Sequence, residues 1–259
     1  MIGPAGPAYL QTYICPVCTY SDGGSGVDIR DLVGTAFLIS GSGIFMTAKH
    51  VLTSAKAIAE EKGRRVGVVV KGPVNDPVSF IAPVLEDEAA PEPYDACLLQ
   101  TDYLNRRTFL TFGGPPVEVW QDVATCGYPI NALTGPPEAL FLNLRAHRGY
   151  VQRILKPDDL PFGPHPAGFE LSFLLSRGLS GAPLFVKGKF KDIAIGICTS
   201  SMRSETIENQ RTEVLEGGET YRELQLRIDE FGVAQDLRPL SGWKPRLLNG
   251  LSLMQASPM

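Results

Sequence analysis

GTAFLISGSGIFMTAKHVL, residues 34–52, is the stretch on which the fold turns. GTAFLIS (34–40) and GIFMTAKHVL (43–52) are short, apolar, β-prone runs, and the SGSG between them reads as a tight turn, so the stretch predicts two paired strands. The second run ends on a histidine, His50, ahead of a turn of small residues. Working outward, the Ala-rich Ser54–Lys62 predicts a short helical turn, and RRVGVVVKG (64–72) and VSFIAPVLE (78–86) predict strands. The acidic, Pro-broken EDEAAPEPY (86–94) then leads into a further strand, DACLLQTD (95–102). With AYLQTYICPVC (8–18) upstream, these runs suffice for one barrel.

Residues 101–118 contain NRR and GGPP, lack periodicity and read as a linker. A second series follows: VATCGYPI (123–130), ALFLNLRAHRGYVQRIL (139–155), GFELSFLL (168–175) and APLFVKGKFKDIAIGICTS (182–200), with KGKF (187–190) as a hairpin turn. The charged residues 202–223 predict an exposed excursion, and RPLSGWKPRLLNGLSL (238–253) a short helix docking on the second half. Short runs punctuated by 27 Gly and 21 Pro favour an all-β fold over a parallel α/β sheet, which needs repeated long helical stretches. A chain of 259 residues, 44% hydrophobic, is large enough for two packed subdomains acting as one unit.

Charge and cysteine usage narrow the function classes. A formal net charge of −4 without a dense Lys/Arg stripe argues against a nucleic-acid or anionic-membrane partner. No run approaches the roughly 20 apolar residues of a membrane span. The opening MIGPAGPAYLQTYICPVC has neither a basic n-region nor an uninterrupted apolar h-region, which leads to the expectation of a cytoplasmic protein. Five cysteines cannot all pair. Cys97, Cys126 and Cys198 lie in apolar runs and read as reduced core thiols. Cys15 and Cys18 form a CPVC spacing, but no second CxxC or His pair completes a zinc site and no βαβ context supports a redox motif. No metal and no cofactor are expected.

Three side chains stand out. Of three histidines, His50 alone sits at the end of an apolar strand with candidates to partner it. Asp95 opens an apolar run, where a charge needs a partner. Ser180, in RGLSGAPLF (177–185), lies between Gly178 and Gly181, which let the backbone bend sharply and present a hydroxyl beside free N–H groups. His147, between Arg145 and Arg148, and His165, in PFGPHPAG (161–168), read as an exposed strand residue and a loop residue.

In this order, these segments resemble the chymotrypsin/trypsin-like serine peptidases, in particular bacterial, non-digestive members, over nearly the whole chain. GTAFLIS…GIFMTAKHV is similar to the two strands entering a T-A-x-H histidine, and PYDACLL (93–99) to the D-x-A-L-L strand. RGLSGAPLF and IAIGICTS (193–200) are similar to the G-x-S-G-x-P nucleophile segment and the substrate-lining strand. CGYPI (126–130) and HRGYV (147–151) match further strands of the family's bacterial members. The resemblance implies two packed six-stranded antiparallel β-barrels with a short C-terminal helix. The N-terminal barrel, 1–108, would carry His50 and Asp95, and the C-terminal barrel, 109–259, Ser180. It further implies a serine endopeptidase acting on a protein or peptide substrate, with His50, Asp95 and Ser180 as the catalytic triad and the N–H groups of Gly178 and Ser180 as the oxyanion hole. Leu174, Thr199, Ser200 and Ser201 would bind substrate, and the Thr199 hydroxyl would hydrogen-bond Asp95.

Two departures from the family pattern bear on activation and specificity. Leu179 stands where digestive members carry Asp, so activation by an inserted N-terminal ammonium is not expected. The substrate-lining strand continues as Thr199-Ser200-Ser201 where the family carries an aromatic and a glycine. Leu174, near the family's pocket-base position, implies an apolar primary pocket, with Glu170 reaching it only if the strand register slips. A separately encoded regulatory protein fits stand-alone members of this kind. The competing reading is a proteolytically weak binding module that needs a partner for activation.

Overall fold

The computed structural model describes residues 10–23, 26–71, 79–104, 110–134, 141–157, 159–160, 164–188, 192–214, 217–218 and 220–256. The first half forms strands β1 (Ile14–Gly23), β2 (Gly26–Ser40), β3 (Ile44–Thr47), β4 (Arg65–Lys71), β5 (Ser79–Ala89) and β6 (Cys97–Thr101). They close into an antiparallel barrel in the order β1-β2-β3-β6-β5-β4. Leu38, Phe45 and Leu99, paired across β2, β3 and β6, share a face with Val68 and Val70 of β4, and all five are fully buried, as alternating positions require when a sheet closes on itself.

Between β3 and β4 the structure differs from the expected first half. The strand carrying GIFMTAKHVL stops at Thr47, and helix α1 runs from Lys49 to Lys62, so His50 lies in its first turn rather than on a strand. Val51, Leu52, Ala55 and Ala59 recur at helical spacing and are buried, and that burial selects helix over continued strand. Ala48, at the N-cap position, offers no side-chain cap, so the first-turn N–H groups must find an acceptor elsewhere. Gly63 ends the helix in the left-handed conformation, φ 60°.

The second half contains β7 (Leu110–Phe112), β8 (Asp122–Gly127), β9 (Leu133–Thr134), β10 (Phe141–Leu142), β11 (Arg145–Leu155), β12 (Gly168–Leu171), β13 (Pro183–Val186), β14 (Asp192–Val214) and β15 (Thr220–Asp236). In the order β13-β8-β11-β12-β15-β14, six strands form a sheet whose ends meet through a further β13–β14 pairing. Strand β7, inside the stretch read as linker, adds to β14 in parallel, and β9 and β10 make a separate two-stranded sheet. The tip of the expected KGKF hairpin, from residue 189, lies outside the described residues. The charged excursion is regular: beyond the barrel, β14 and β15 continue as an exposed antiparallel ribbon.

The C-terminal segment differs from expectation in partner and in form. It makes two 3₁₀ turns, Arg238–Gly242 and Arg246–Leu248, and a short helix α2, Leu253–Ala256. Leu240, Leu247, Leu248 and Leu253 join the core cluster built mainly by the first barrel. The cause is polar as well as apolar: Glu88 on β5 accepts from the N–H groups of Arg246 (2.9 Å) and Leu247 (3.0 Å), which the start of a 3₁₀ turn leaves unpaired. The same cluster holds Cys126, Tyr128, Phe185 and Ile197 of the second half, so a continuous apolar core spans both.

All five cysteines are free and buried. Cys15 and Cys18 lie in β1, and burial pushes Cys18, Cys97 and Cys198 up to about 12 and Cys126 up to about 11. Since the thiolate is the reactive form, the native protein should react negligibly with a thiol-specific disulfide reagent over minutes. All five thiols should titrate at once after unfolding in guanidinium; a fast-reacting native thiol would contradict this packing.

Candidate active site

Helix α1 and the loop before β6 bring His50 to Asp95. The Asp95 carboxylate accepts from the backbone N–H of His50 at 2.9 Å through Oδ1 and from the ring Nδ1 at 2.5 Å through Oδ2. A carboxylate only accepts, so Nδ1 carries the ring proton and the Nε2 lone pair is free to take another. The carboxylate thus does two jobs: it supplies the helix cap that Ala48 lacks, favoured by the positive end of the helix, and it fixes the tautomer of His50. Burial pushes Asp95 up, but the His50 ring and the backbone N–H groups of His50 and Lys49 outweigh it, holding the carboxyl below the usual carboxylate range. Behind it, the backbone N–H of Asp95 donates to Oε1 of buried Gln235 on β15 at 2.8 Å. This contact ties the aspartate of the first half to a strand of the second.

Ser180 lies in the turn before β13. Its hydroxyl donates to the carbonyl of Thr199 on β14 at 2.8 Å. Gly181, φ +86°, lets the turn press against the start of α1, since a Cβ there would stand 3.0 Å from Ala48 N and 2.1 Å from Thr35 O. Gly178 has φ +99°, and a Cβ on it would lie 2.6 Å from both Ile130 N and Tyr128 O, so only glycine fits. The Arg177 carbonyl accepts from Ile130 N at 2.9 Å. Because the C=O and N–H of a trans peptide point in opposite directions, this bond turns the Gly178 N–H away from Ile130. The N–H groups of Gly178 and Ser180 carry no hydrogen bond among the described residues, as anion-receiving donors must. Leu179 between them is fully buried in the second barrel's core.

The Ser180 turn is anchored by a residue that sequence reasoning passed over. Thr35 on β2 is fully buried, and all its polar groups are engaged. Its hydroxyl donates to Gly178 O at 2.9 Å and accepts from Tyr128 N at 2.9 Å. Its N–H donates to Ser180 O at 2.9 Å, and its carbonyl accepts from the Thr47 hydroxyl at 2.7 Å. The available signal was a hydroxyl inside the apolar run GTAFLIS.

The expected substrate residues are distributed as follows. The Thr199 hydroxyl does not reach Asp95: it donates to Val233 O at 3.3 Å, because β14 and β15 pair there with a bulge between Cys198 and Ser200. Ser201 Oγ accepts from Leu175 N (3.0 Å) and donates to Leu175 O (2.9 Å), clasping β14 to the segment that leads to Ser180. Leu174, beside that clasp, is 42% exposed. Ser200 is partly buried on the same stretch of β14. Glu170 is engaged elsewhere, paired with Arg153 at 3.1 Å.

The other two histidines differ from their expected settings. His165 is buried; its Nε2 accepts from Leu160 N (2.9 Å) and its Nδ1 donates to Pro166 O (2.7 Å), which fastens the loop. His147 is half-buried and stacks on Phe173 at 5.7 Å, and burial together with Arg145 pushes its pKa down. Among the described residues no group of three or more His, Cys, Asp or Glu side chains is placed to hold a metal.

Two β-barrel halves, with a His–Asp pair at the helix start against which the glycine-bounded serine turn packs, have the architecture of the trypsin-like peptidases. The family model of the trypsin-like peptidase domain matches residues 34–195, more than half the chain, and the protein belongs to that family. Among solved structures it is similar to the protease domain of MamO from Magnetospirillum magneticum, with TM-score 0.54 and 13% identity over 89% of this chain and 94% of that one. It is also similar to Deg5, with TM-score 0.52 and 15% identity over 73% and 80%. No curated protein sequence matches the chain.

Two outcomes follow from this geometry. Thr35→Val keeps the shape but strands the buried Gly178 carbonyl and Tyr128 N–H, so it should cost about 1–3 kcal/mol in urea unfolding. It should also slow fluorophosphonate labelling of Ser180 on the order of tenfold or more, with Thr35→Ser restoring both. Asp95→Asn should lower stability by about 1–2 kcal/mol at pH 6.5. The folded carboxyl titrates below its unfolded value, so this contribution is present above about pH 4 and fades as pH falls through the folded value. The deficit should therefore shrink in urea titrations at pH 3; a deficit that grows on acidification would contradict the assigned direction.

Proposed function

We propose that the protein is a serine endopeptidase that cleaves polypeptides through an acyl-enzyme formed on Ser180. The observation that carries the reading is the coincidence of two features where the Gly181 turn packs against the start of α1. His50 is held by Asp95 with Nε2 free, and the free N–H groups of Gly178 and Ser180 flank a serine hydroxyl. In the resting arrangement that hydroxyl donates to Thr199 O, and rotation about one side-chain bond redirects it toward His50. Oγ then attacks the scissile carbonyl carbon as its proton passes to Nε2, and the C=O electron pair moves to oxygen, where the Gly178 and Ser180 N–H groups receive it. Collapse breaks the C–N bond, and the imidazolium returns the proton to the departing amine. Water attacks the acyl-enzyme by the same proton route and frees Ser180. Asp95 stays ionised, orienting the ring and stabilising the imidazolium.

The first specificity pocket is apolar: Leu174 and Leu175 line the segment clasped by Ser201, and Glu170 is neutralised by Arg153. The second reading, a binding module that cleaves weakly until a partner docks, draws support from the Ser180 hydroxyl resting on Thr199 O. A separately encoded regulatory protein would serve by turning that hydroxyl toward His50.

Wild-type protein should be labelled at Ser180 by an organofluorophosphonate and should cleave a peptide library after Leu, Val, Met or small aliphatic residues. Ser180→Ala and His50→Ala should retain the fold and lose kcat on the order of a millionfold. Near-normal cleavage by purified Ser180→Ala would sink the assignment, and a library profile led by Arg or Lys would overturn the apolar pocket. Absence of labelling without a partner would favour the second reading.

A further inference from the structure

The ribbon of β14 and β15 carries a surface that the peptidase reading leaves without a role. The pairing of β15 with β12 ends at Gly232, so among the described residues β15 from Thr220 to Phe231 has only β14 beside it. Residues Arg203–Thr212 of β14 and Thr220–Glu230 of β15 are all exposed.

The two faces of the ribbon differ. Side chains alternate along a strand, and directly opposed residues share a face. Ile207 opposes Leu226, Gln210 opposes Leu224 and Glu205 opposes Ile228, while the extra residue of the bulge, Glu208, leaves the alternation of β15 unbroken. One face therefore holds Ile207, Leu224, Leu226 and Ile228, which are 54%, 43%, 40% and 47% exposed. Side-chain contacts follow the same division: Arg203 with Glu205 (2.9 Å) and Arg222 with Gln210 (2.7 Å) on this face, Arg227 with Asp229 (3.2 Å) on the other. Single exposed leucines are ordinary, but four aliphatic side chains together on a bare ribbon mark a contact surface.

Charge is polarised along that apolar face. Arg222 lies on the tip side of the stripe and hydrogen-bonds neutral Gln210. Glu230 lies on the barrel side, and Arg203, which opposes it, turns to Glu205 instead. The face thus runs from basic at the tip, through aliphatic, to acidic at the base.

We propose that this face packs on the same face of a second copy of the chain, with the two ribbons stacked antiparallel about a two-fold axis at Leu226. A two-fold contact must be self-complementary, and this one is. With the axis between the ribbons and perpendicular to the strands, Leu226 lies over Leu226 of the other copy and Ile207 over Ile207. Leu224 then lies over Ile228, and Arg222 over Glu230, each of these contacts occurring twice. The axis also falls at the middle of the free length, since Thr220 comes level with Gly232, where pairing with β12 begins. The other two-fold that keeps these faces together, parallel to the strands, puts Leu224 over Gln210 and Ile228 over Glu205 and brings both barrels to one end. A face roughly 36 Å long and about 10 Å wide offers roughly 400 Å² per copy, the scale of a reversible association in which the aliphatic stripe supplies affinity and the charges set register. The inference is independent of whether Ser180 is catalytic.

The test is sedimentation equilibrium of the full-length Ser180→Ala protein, which cannot digest itself, from about 5 to 500 µM. A monomer–dimer equilibrium is expected, and Leu226→Thr with Ile228→Thr should weaken it at least about tenfold. Arg222→Glu and Glu230→Arg should each weaken self-association on the order of tenfold, because each sets like charges together twice. An equimolar mixture of those two variants should regain the dimer, since every like-charge contact then becomes an opposite-charge one. The substituted positions are exposed and threonine keeps strand propensity, so far-UV circular dichroism should be unchanged. A monomer throughout, a dimer indifferent to the double threonine substitution, or a mixture no tighter than its components would overturn the proposal. Open-ended assembly would do so as well, because a two-fold contact closes at two copies. So would a monomer that sediments with phosphatidylcholine vesicles only while Leu226 and Ile228 are intact, an outcome that would assign the stripe to lipid.

Discussion

The hydrogen bonds of Thr35 are the constraint on which the rest of the site depends. A turn that presents a serine hydroxyl beside two unpaired N–H groups cannot use its own backbone for regular pairing, so its remaining polar groups must be satisfied from outside. β2 does this from the other barrel. Thr35 N–H takes the Ser180 carbonyl, and its hydroxyl takes the Gly178 carbonyl while receiving Tyr128 N–H. Thr35, Gly178 and Tyr128 are buried, so each of these bonds is strong and each omission expensive. Packing of the two halves therefore builds the site as well as the core.

A second cross-connection holds His50. Asp95 reaches His50 because the first turn of α1 needs an acceptor that Ala48 does not provide. Helix capping and imidazole orientation are one set of contacts, so the ring is held as firmly as the helix start. Gln235 fixes the backbone of Asp95 from β15, the strand paired with β14 beside Ser180. Displacement between the halves would disturb the Ser180 turn and the His–Asp pair together.

Legibility in the sequence followed the range of the interactions. Two halves of short strands could be read because alternation and turn residues act over a few positions, as in GTAFLIS and the SGSG that follows it. Helix α1 was read only as Ser54–Lys62, since its first turn depends on Asp95, 45 residues away in sequence. Thr35 and Gln235 were not legible as site residues, because their partners lie 143 and 140 residues away, across the interface. Thr199 was misread for a related reason: hydroxyl identity does not reveal a β-bulge, and the bulge sends Oγ1 to Val233. The ribbon was read as exposed, but its regular pairing depends on the register of β14 with β15, which charged residues alone do not display.

These contacts also bear on how the site is switched. In an arrangement ordered by an inserted α-ammonium, a carboxylate beside the nucleophile must receive the charge. Here the neighbour is Leu179, with none of its surface exposed, in a cluster with Val151, Phe169, Leu184 and Ile195. An ammonium driven into that cluster would lose its hydration without gaining a counter-charge, a penalty of several kcal/mol. The work of such an ion pair is already distributed over Leu179 packing, the Arg177–Ile130 bond and the Thr35 hydroxyl. What remains free to change is the rotamer of Ser180, whose hydroxyl rests on the carbonyl of Thr199.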